Sequence, residues 1–267
     1  MTSARPDRPT IAELRAVTQP PAVRGRRTAE HWTGDLYMRR ISPYFTRLLV
    51  TAGFSANGVT WLMIVSGWLA AVALLVPGLA GPVLAVAFTQ LQMLCDASDG
   101  EVARWRGTSS PMGIFLDKVG HYSVETLIAL ALGVRAAGGP HQITDHLGWV
   151  CLGALSAWLI CLNKALNDMV HAARAASGLD PLPDTAAVST PQVGWLAAVR
   201  GAARFVPFHR MYHSVEMTLV ILLAAVADLV VGGLGATRLL TAALVPLALL
   251  SVVGHFVAIV TSRRVRQ

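Results

Sequence analysis

Residues 48–95 read LLVTAGFSANGVTWLMIVSGWLAAVALLVPGLAGPVLAVAFTQLQMLC and contain no Asp, Glu, Lys, Arg or His. A membrane-crossing helix needs about 20 mostly apolar residues, so this run holds two of them. Pro77, Gly78, Gly81 and Pro82 break it in the middle. The two spans are expected near 57–77 and 82–104. Working outward, similar apolar stretches place four more near 113–136, 147–174, 213–232 and 238–261. The expected fold is an all-α integral membrane protein, a six-transmembrane-helix bundle with an N-terminal cytoplasmic juxtamembrane amphipathic helix.

Composition and charge agree with that reading. Of 267 residues, 54% are hydrophobic and only 14% charged. Soluble domains carry about 25% charged residues, which excludes an ordinary soluble enzyme, and so much apolar surface excludes a disordered chain. The few charges are unbalanced, with 22 Lys+Arg against 15 Asp+Glu. Twenty of the cations are Arg. With the N-terminus inside, segments 1–50, 104–112, 174–212 and 262–267 hold every Arg except Arg135 and Arg238. That asymmetry places both termini in the cytoplasm, at the cell's inner or plasma membrane. The basic excess then faces anionic membrane lipids and calls for no nucleic-acid partner.

The first 45 residues hold no apolar run that would serve as a signal peptide. Residues 1–28 are expected to be a flexible Arg-rich tail, 29–262 the membrane domain, and 263–267 a basic C-terminal tail. Within 29–50, Trp32, Leu36, Tyr37, Ile41, Tyr44, Phe45 and Leu48 alternate with Arg39, Arg40 and Arg47, a pattern suited to the headgroup interface. Residues 193–205 suggest a second such helix. Cys95, Cys151 and Cys161 lie in apolar stretches without paired spacing and are expected to be small buried residues.

The informative residues are ionisable groups at membrane depth, which are costly and usually functional. Asp96, Asp99, Glu101 and Arg104 end the second span; Asp117, Lys118, His121 and Glu125 begin the third. Asp96 and Asp99 share a helix face, as do Asp117, His121 and Glu125. Residues 105–112, with Gly107, Ser109, Ser110 and Pro111, can turn the chain back. Two antiparallel helices would then present three carboxylates and an imidazole to one another. Carboxylates so placed repel, and a divalent cation between them removes the repulsion. Small Gly100, Ala103 and Gly113 let a bulky ligand approach the backbones. Arg104 can pair with a phosphate or an aspartate.

The run Asp96-Ala-Ser-Asp99-Gly100-Glu-Val-Ala103-Arg104, then eight residues, then Gly113-Ile-Phe-Leu-Asp117-Lys-Val-Gly-His121 resembles the signature of the CDP-alcohol phosphotransferases, D-x2-D-G-x2-A-R-x8-G-x3-D-x3-D. Seven of eight fixed positions match. Ser55-Ala-Asn57-Gly-Val-Thr60 is similar to that family's P-N-x-x-T, and the likeness covers roughly residues 29–262. The resemblance implies transfer of a phosphate-linked group from a CDP-alcohol to an acceptor hydroxyl, with release of CMP. It implies that Asp96, Asp99 and Asp117 hold one or two Mg²⁺ or Mn²⁺ ions. Asn57, Asp96, Gly100, Ala103, Arg104 and Gly113 would bind the CDP-alcohol, most simply CDP-diacylglycerol. The acceptor would be a small polyol, a polyol phosphate or a lipid, and homodimers are common in the family.

His121 departs from the pattern, which has a fourth Asp there, assigned as the base for the acceptor hydroxyl. A histidine can do that work with Asp117 beside it. It can also ligate Mn²⁺ or Zn²⁺ better than Mg²⁺, or mark a relative that binds CDP-lipid without transferring. Glu125, one turn on, is placed to orient its ring. A transporter is the competing class, but no repeat relates the two halves and the acids cluster at one end rather than the midplane. Lys164, Arg174 and Arg210 are candidate acceptor contacts, against snorkelling and lipid contact as the plain alternatives. Arg200, Arg204, His209, His213, Glu216, His31, Trp32 and Asp35 are expected at the interface; Trp105, Trp149 and Trp158 are expected to belt or pack. Asp228 and His255 are isolated and carry no expected chemistry.

Overall fold

A computed structural model describes residues 5–20, 37–180 and 211–262. Among the described residues there is no strand; the chain is helical. The helices are α1 (Ile11–Thr18), α2 (Arg39–Thr51), α3 (Ala56–Ala73), α4 (Ala80–Arg106), α5 (Pro111–Ala137), α6 (Leu147–Ala176), α7 (Ser214–Val231) and α8 (Gly235–Thr261), with a 3-10 turn at Pro140–Gln142. A helix stands at each of the six expected spans. Four of them, α3, α6, α7 and α8, are long and apolar enough to cross a membrane. Helices α4 and α5 have 27 residues each, about 40 Å of helix at 1.5 Å per residue. Their apolar runs are interrupted by Thr89, Gln90, Gln92, Asp96 and Asp99 on α4, and by Asp117, Lys118, His121 and Glu125 on α5. Length and composition therefore single out four spans rather than six.

The chain divides into two compact units, Met1–Ala73 with Val83–Val124, and Leu74–Pro82 with Glu125–Gln267. In the first, Leu14, Leu49, Val50, Val59, Met63, Ile64, Cys95, Val102 and Trp105 form one buried cluster. Gly67 and Gly120 let α3 and α5 close up: a Cβ on Gly120 would stand 2.6 Å from Met63 Cε, and one on Gly67 2.2 Å from Val124 Cγ2.

Leu14 lies in the segment expected to be a flexible tail. Helix α1 forms there because Thr10 and Glu13 make a capping box, the Thr10 hydroxyl accepting from Glu13 N at 3.2 Å and the Glu13 carboxylate accepting from Thr10 N at 2.7 Å. Leu14 is wholly buried. The flanks are tied down as well. Arg5 Nη1 donates to the carbonyls of Arg104 and Trp105 at 2.5 and 2.7 Å, its guanidinium lies 5.5 Å from the Trp105 ring centroid, and Trp105 Nε1 donates to Pro6 O at 3.3 Å. Trp105 is thus a packing residue. Composition conceals this because one leucine and one capping box in a segment rich in Arg, Pro and Ala leave no periodic signal.

Helix α2 is the described part of the expected juxtamembrane helix; residues 29–36 of that expectation fall outside the described residues. Ile41, Tyr44 and Leu48 are exposed, while Ser42, Thr46, Leu49 and Val50 are buried. The apolar outer face suits a headgroup layer, and the buried face carries two hydroxyls.

In the second unit, α6, α7 and α8 pack together. Where α5 crosses α6, a Cβ on Gly153 would lie 2.7 Å from Gly133 Cα and 2.9 Å from Ala129 O. Backbone contact of that kind is how small residues join helices where lipid offers no hydrophobic drive. Asp228, an isolated charge expected to carry no chemistry, proves to be a helix cap. Asp228 accepts from Ala236 N at 2.7 Å, Thr237 N at 3.1 Å and Thr237 Oγ1 at 2.5 Å, closing the start of α8. Arg135 donates to the carbonyls of Val76 and Gly78 at 3.1 and 2.5 Å beyond the end of α3. His255 Nδ1 lies 3.0 Å from Asn163 Oδ1. Of the cysteines, Cys95 is buried as expected, but Cys151 is exposed and Cys161 half-buried. Both sit on α6, whose apolar surface is not fully covered by protein. The helix expected at 193–205, with Arg200, Arg204, His209 and Arg210, and the residues His31, Trp32 and Asp35 lie outside the described residues.

Candidate active site

The site is built where α4 ends and α5 begins. Gly107 stops α4 in the left-handed region, φ 68°, and Thr108 N bonds Ala103 O at 3.0 Å. A side chain there would be strained, so glycine ends the helix at low cost. Ser110 then caps α5, its Oγ accepting from Gly113 N at 3.2 Å, with Pro111 at the first helical position.

This turn brings Asp96 of α4 to Asp117 and His121 of α5. His121 Nε2 lies 3.2 Å from Asp96 Oδ1 and 3.4 Å from Asp117 Oδ1. The three ligand atoms lie within 4.8 Å of one another, spaced to hold one metal ion. The side chains keep 24%, 28% and 43% exposure for His121, Asp96 and Asp117, so the cluster is reachable from outside. Two carboxylate oxygens and one imidazole nitrogen are a donor set that fits a divalent cation.

Asp99, expected as a metal ligand, is not a member of that group of three. Its Oδ2 accepts from Thr60 Oγ1 at 2.7 Å. Thr60 was visible in the sequence only as the last residue of the Asn57 motif. Arg104 Nε donates to Thr18 O at 2.7 Å, and its Nη1 would stand 3.0 Å from a Cβ on Gly100. Gly113 faces Asn57 in the same way, 3.3 Å from Asn57 Oδ1 to the Cβ it lacks. Asn57 lines a pocket with Ser55, Ala56, Arg106 and Thr108, and Ala103 packs against the core cluster. The candidate CDP-alcohol residues therefore gather in the first unit, within the turn and the facing start of α3.

The sequence placed Glu101 among the ionisable groups at membrane depth but gave it no role. Its carboxylate, 2% exposed, accepts from Gln19 Nε2 at 2.8 Å, Ser42 Oγ at 2.7 Å and Thr46 Oγ1 at 2.6 Å. It joins α1, α2 and α4 between Gly100 and Arg104. The available signal was the pair Ser42 and Thr46, one turn apart on an otherwise apolar-and-basic helix.

Of the candidate acceptor residues, Lys164 and Arg174 lie in the second unit. Lys164 Nζ is 2.9 Å from Glu125 Oε1, which His213 Nδ1 also approaches at 3.3 Å. Glu125 is 1% exposed, so the pair is a buried ionic contact. Arg174 donates from Nε and Nη2 to Asp180 O at 3.0 and 2.9 Å. Arg210 is outside the described residues.

The sequence model of the CDP-alcohol phosphatidyltransferase family matches residues 54–263, well over half of the chain. The chain belongs to that family. A comparison with curated proteins found no match. As a CDP-alcohol phosphatidyltransferase, it carries the family's activity, transfer of a phospho-alcohol group from a CDP-alcohol to an acceptor alcohol. The match spans α3 to α8 and both halves of the Asp96–His121 motif; α1 and α2 precede it. Members of the family use divalent metal, and Asp96, Asp117 and His121 offer this CDP-alcohol phosphatidyltransferase a place for it.

Proposed function

We propose that this chain transfers a phosphatidyl group from CDP-diacylglycerol to the hydroxyl of a small polyol, polyol phosphate or lipid, releasing CMP in phospholipid biosynthesis. What supports the reading most is the convergence of Asp96, Asp117 and His121 at the turn that carries the family motif. The six long helices, α3 to α8, all cross the membrane in this reading. Both termini and the Asp96–His121 turn face the cytoplasm, because the Arg-rich segments flank that side. The membrane domain runs over 29–262.

Chemically, the acceptor oxygen bonds to the phosphorus that carries diacylglycerol, and the bond from that phosphorus to the bridging oxygen breaks. CMP leaves with the bridging oxygen. Bound Mg²⁺ or Mn²⁺, held by Asp96, Asp99 and Asp117, would neutralise charge on the diphosphate. Arg104 adds a guanidinium for a phosphate oxygen. Its backbone tie to Thr18 O limits the rotamers it can adopt. Gly100 and Gly113 leave room for the cytidine against the backbones, and Asn57 supplies an amide to it. Asp117, the most exposed of the three clustered groups, is placed to take the acceptor's proton on a carboxylate oxygen.

The test is purified protein with CDP-diacylglycerol, Mg²⁺ or Mn²⁺, and a panel of acceptors, with CMP measured. CMP release is expected from at least one acceptor and is lost with a chelator. Asp96→Asn, Asp99→Asn and Asp117→Asn are each expected to lower it by about 100-fold or more, the scale of a single electrostatic group at a reacting centre. Tight binding of CDP-diacylglycerol with no CMP from any acceptor overturns the transferase reading.

A further inference from the structure

Position 121 is where this chain departs from its family's four-carboxylate pattern. The geometry around it is specific. One nitrogen, Nε2, faces two carboxylate oxygens at once, 3.2 and 3.4 Å away, on two different helices. A proton on Nε2 points along a single direction and can bond only one of those oxygens well. A metal ion serves both. Donors about 2.1 Å from one ion, at tetrahedral to octahedral angles, stand about 3.0–3.4 Å from each other. The two observed separations fall in that interval.

We propose that His121 Nε2 is a ligand of the divalent cation held with Asp96 and Asp117, and that it makes the site select a first-row transition-metal ion such as Mn²⁺ over Mg²⁺. The inference rests on the metal-site reading of the motif given above. Its physical basis is donor chemistry. An all-carboxylate set suits Mg²⁺, which binds oxygen and keeps its waters. Exchanging one oxygen for an imidazole nitrogen favours ions softer than Mg²⁺, because imidazole nitrogen is a softer donor than a carboxylate oxygen and first-row transition-metal ions bind it better than Mg²⁺ does. The same assignment removes His121 Nε2 from proton transfer and leaves that work to the Asp117 carboxylate oxygen that does not hold the ion. His121 is then a specificity-determining ligand.

Full-length metal-free protein, titrated with Mn²⁺ alone and followed by electron paramagnetic resonance, tests this without turnover. Bound Mn²⁺ is expected to show nitrogen hyperfine coupling. That coupling is expected to change when the protein is grown on histidine labelled with the heavy nitrogen isotope, a readout that needs no variant. Mg²⁺ is then added as a competitor. In His121→Asp the nitrogen coupling is expected to vanish and the Mg²⁺-to-Mn²⁺ preference to rise at least about tenfold, the lower bound for altering a ligand shell. Bound Mn²⁺ without histidine nitrogen coupling overturns the inference, as does an unchanged preference in His121→Asp. If Asp96→Asn and Asp117→Asn bind Mn²⁺ as the wild type does, the ion lies elsewhere, and the metal-site reading falls together with the inference. If nitrogen-coupled Mn²⁺ is present but no acceptor yields CMP, the transferase reading falls and the inference stands.

Discussion

Replacing Glu101 by Ala is expected to release the N-terminal segment from the site. The side chain accepts three hydrogen bonds at 2.6 to 2.8 Å while 2% exposed. Each bond to a charged acceptor contributes about 1.5–3 kcal/mol, and donors left buried without an acceptor add a desolvation cost. Ser42 and Thr46 recover part of theirs, because a helical hydroxyl can turn to the carbonyl one turn back. Gln19 retains its bond to Arg39 O at 2.9 Å, but its second amide hydrogen loses its partner in a site where Gln19 is 4% exposed. Counting one bond as fully lost and two as mostly recovered leaves about 3 kcal/mol. At 1.4 kcal/mol per tenfold, that is roughly a hundredfold in the local opening equilibrium. The amides of α1 are therefore expected to exchange hydrogen roughly a hundredfold faster in Glu101→Ala, with α2 following. Helices α7 and α8, in the other unit, are the internal reference and should hold their rates. Exchange in α1 that stays within about threefold of the wild type refutes the claim that Glu101 holds this segment, since local opening would then not depend on it.

Two further outcomes follow from the second unit. Asp228→Ala removes three acceptor bonds at the start of α8 and should lower stability by about 1–2 kcal/mol, the scale of a lost helix cap, read as an earlier thermal unfolding transition in detergent; Asp228→Asn, which keeps an acceptor oxygen, should recover most of it. Gly153→Ala drives a methyl against Gly133 Cα and Ala129 O and should cost about 1–3 kcal/mol by overpacking, whereas Gly148→Ala, with open space around it on the same helix, should be silent in the same melt.

How much was legible in the sequence varied with the range of the interaction concerned. The positions of α3, α6, α7 and α8 could be read because a helix fit to cross a bilayer must be apolar for about 20 residues on its own, whatever it packs against. Helix α1 could not be read, because its stability comes from one leucine inserted into a core whose other members come from residues 49–105. The same limit applied to Asp228. Its partners are only eight and nine residues on, but across a turn whose shape no composition announces.

The sequence by itself determined the membrane class, the segregation of Arg into alternate segments between the apolar stretches, and the motif from Asp96 to His121, because each depends on residue type and position along the chain. Only the tertiary structure decided which of the motif's side chains meet. Ligand atoms of Asp96, Asp117 and His121 come within 4.8 Å of one another, while Asp99 accepts from Thr60 and Glu101 binds three donors, two from α2 and one from Gln19 just after α1. Those choices depend on how two helices are rotated about their axes at the Gly107 turn. Spacing along a chain fixes the face of its own helix but not the helix that will cover it.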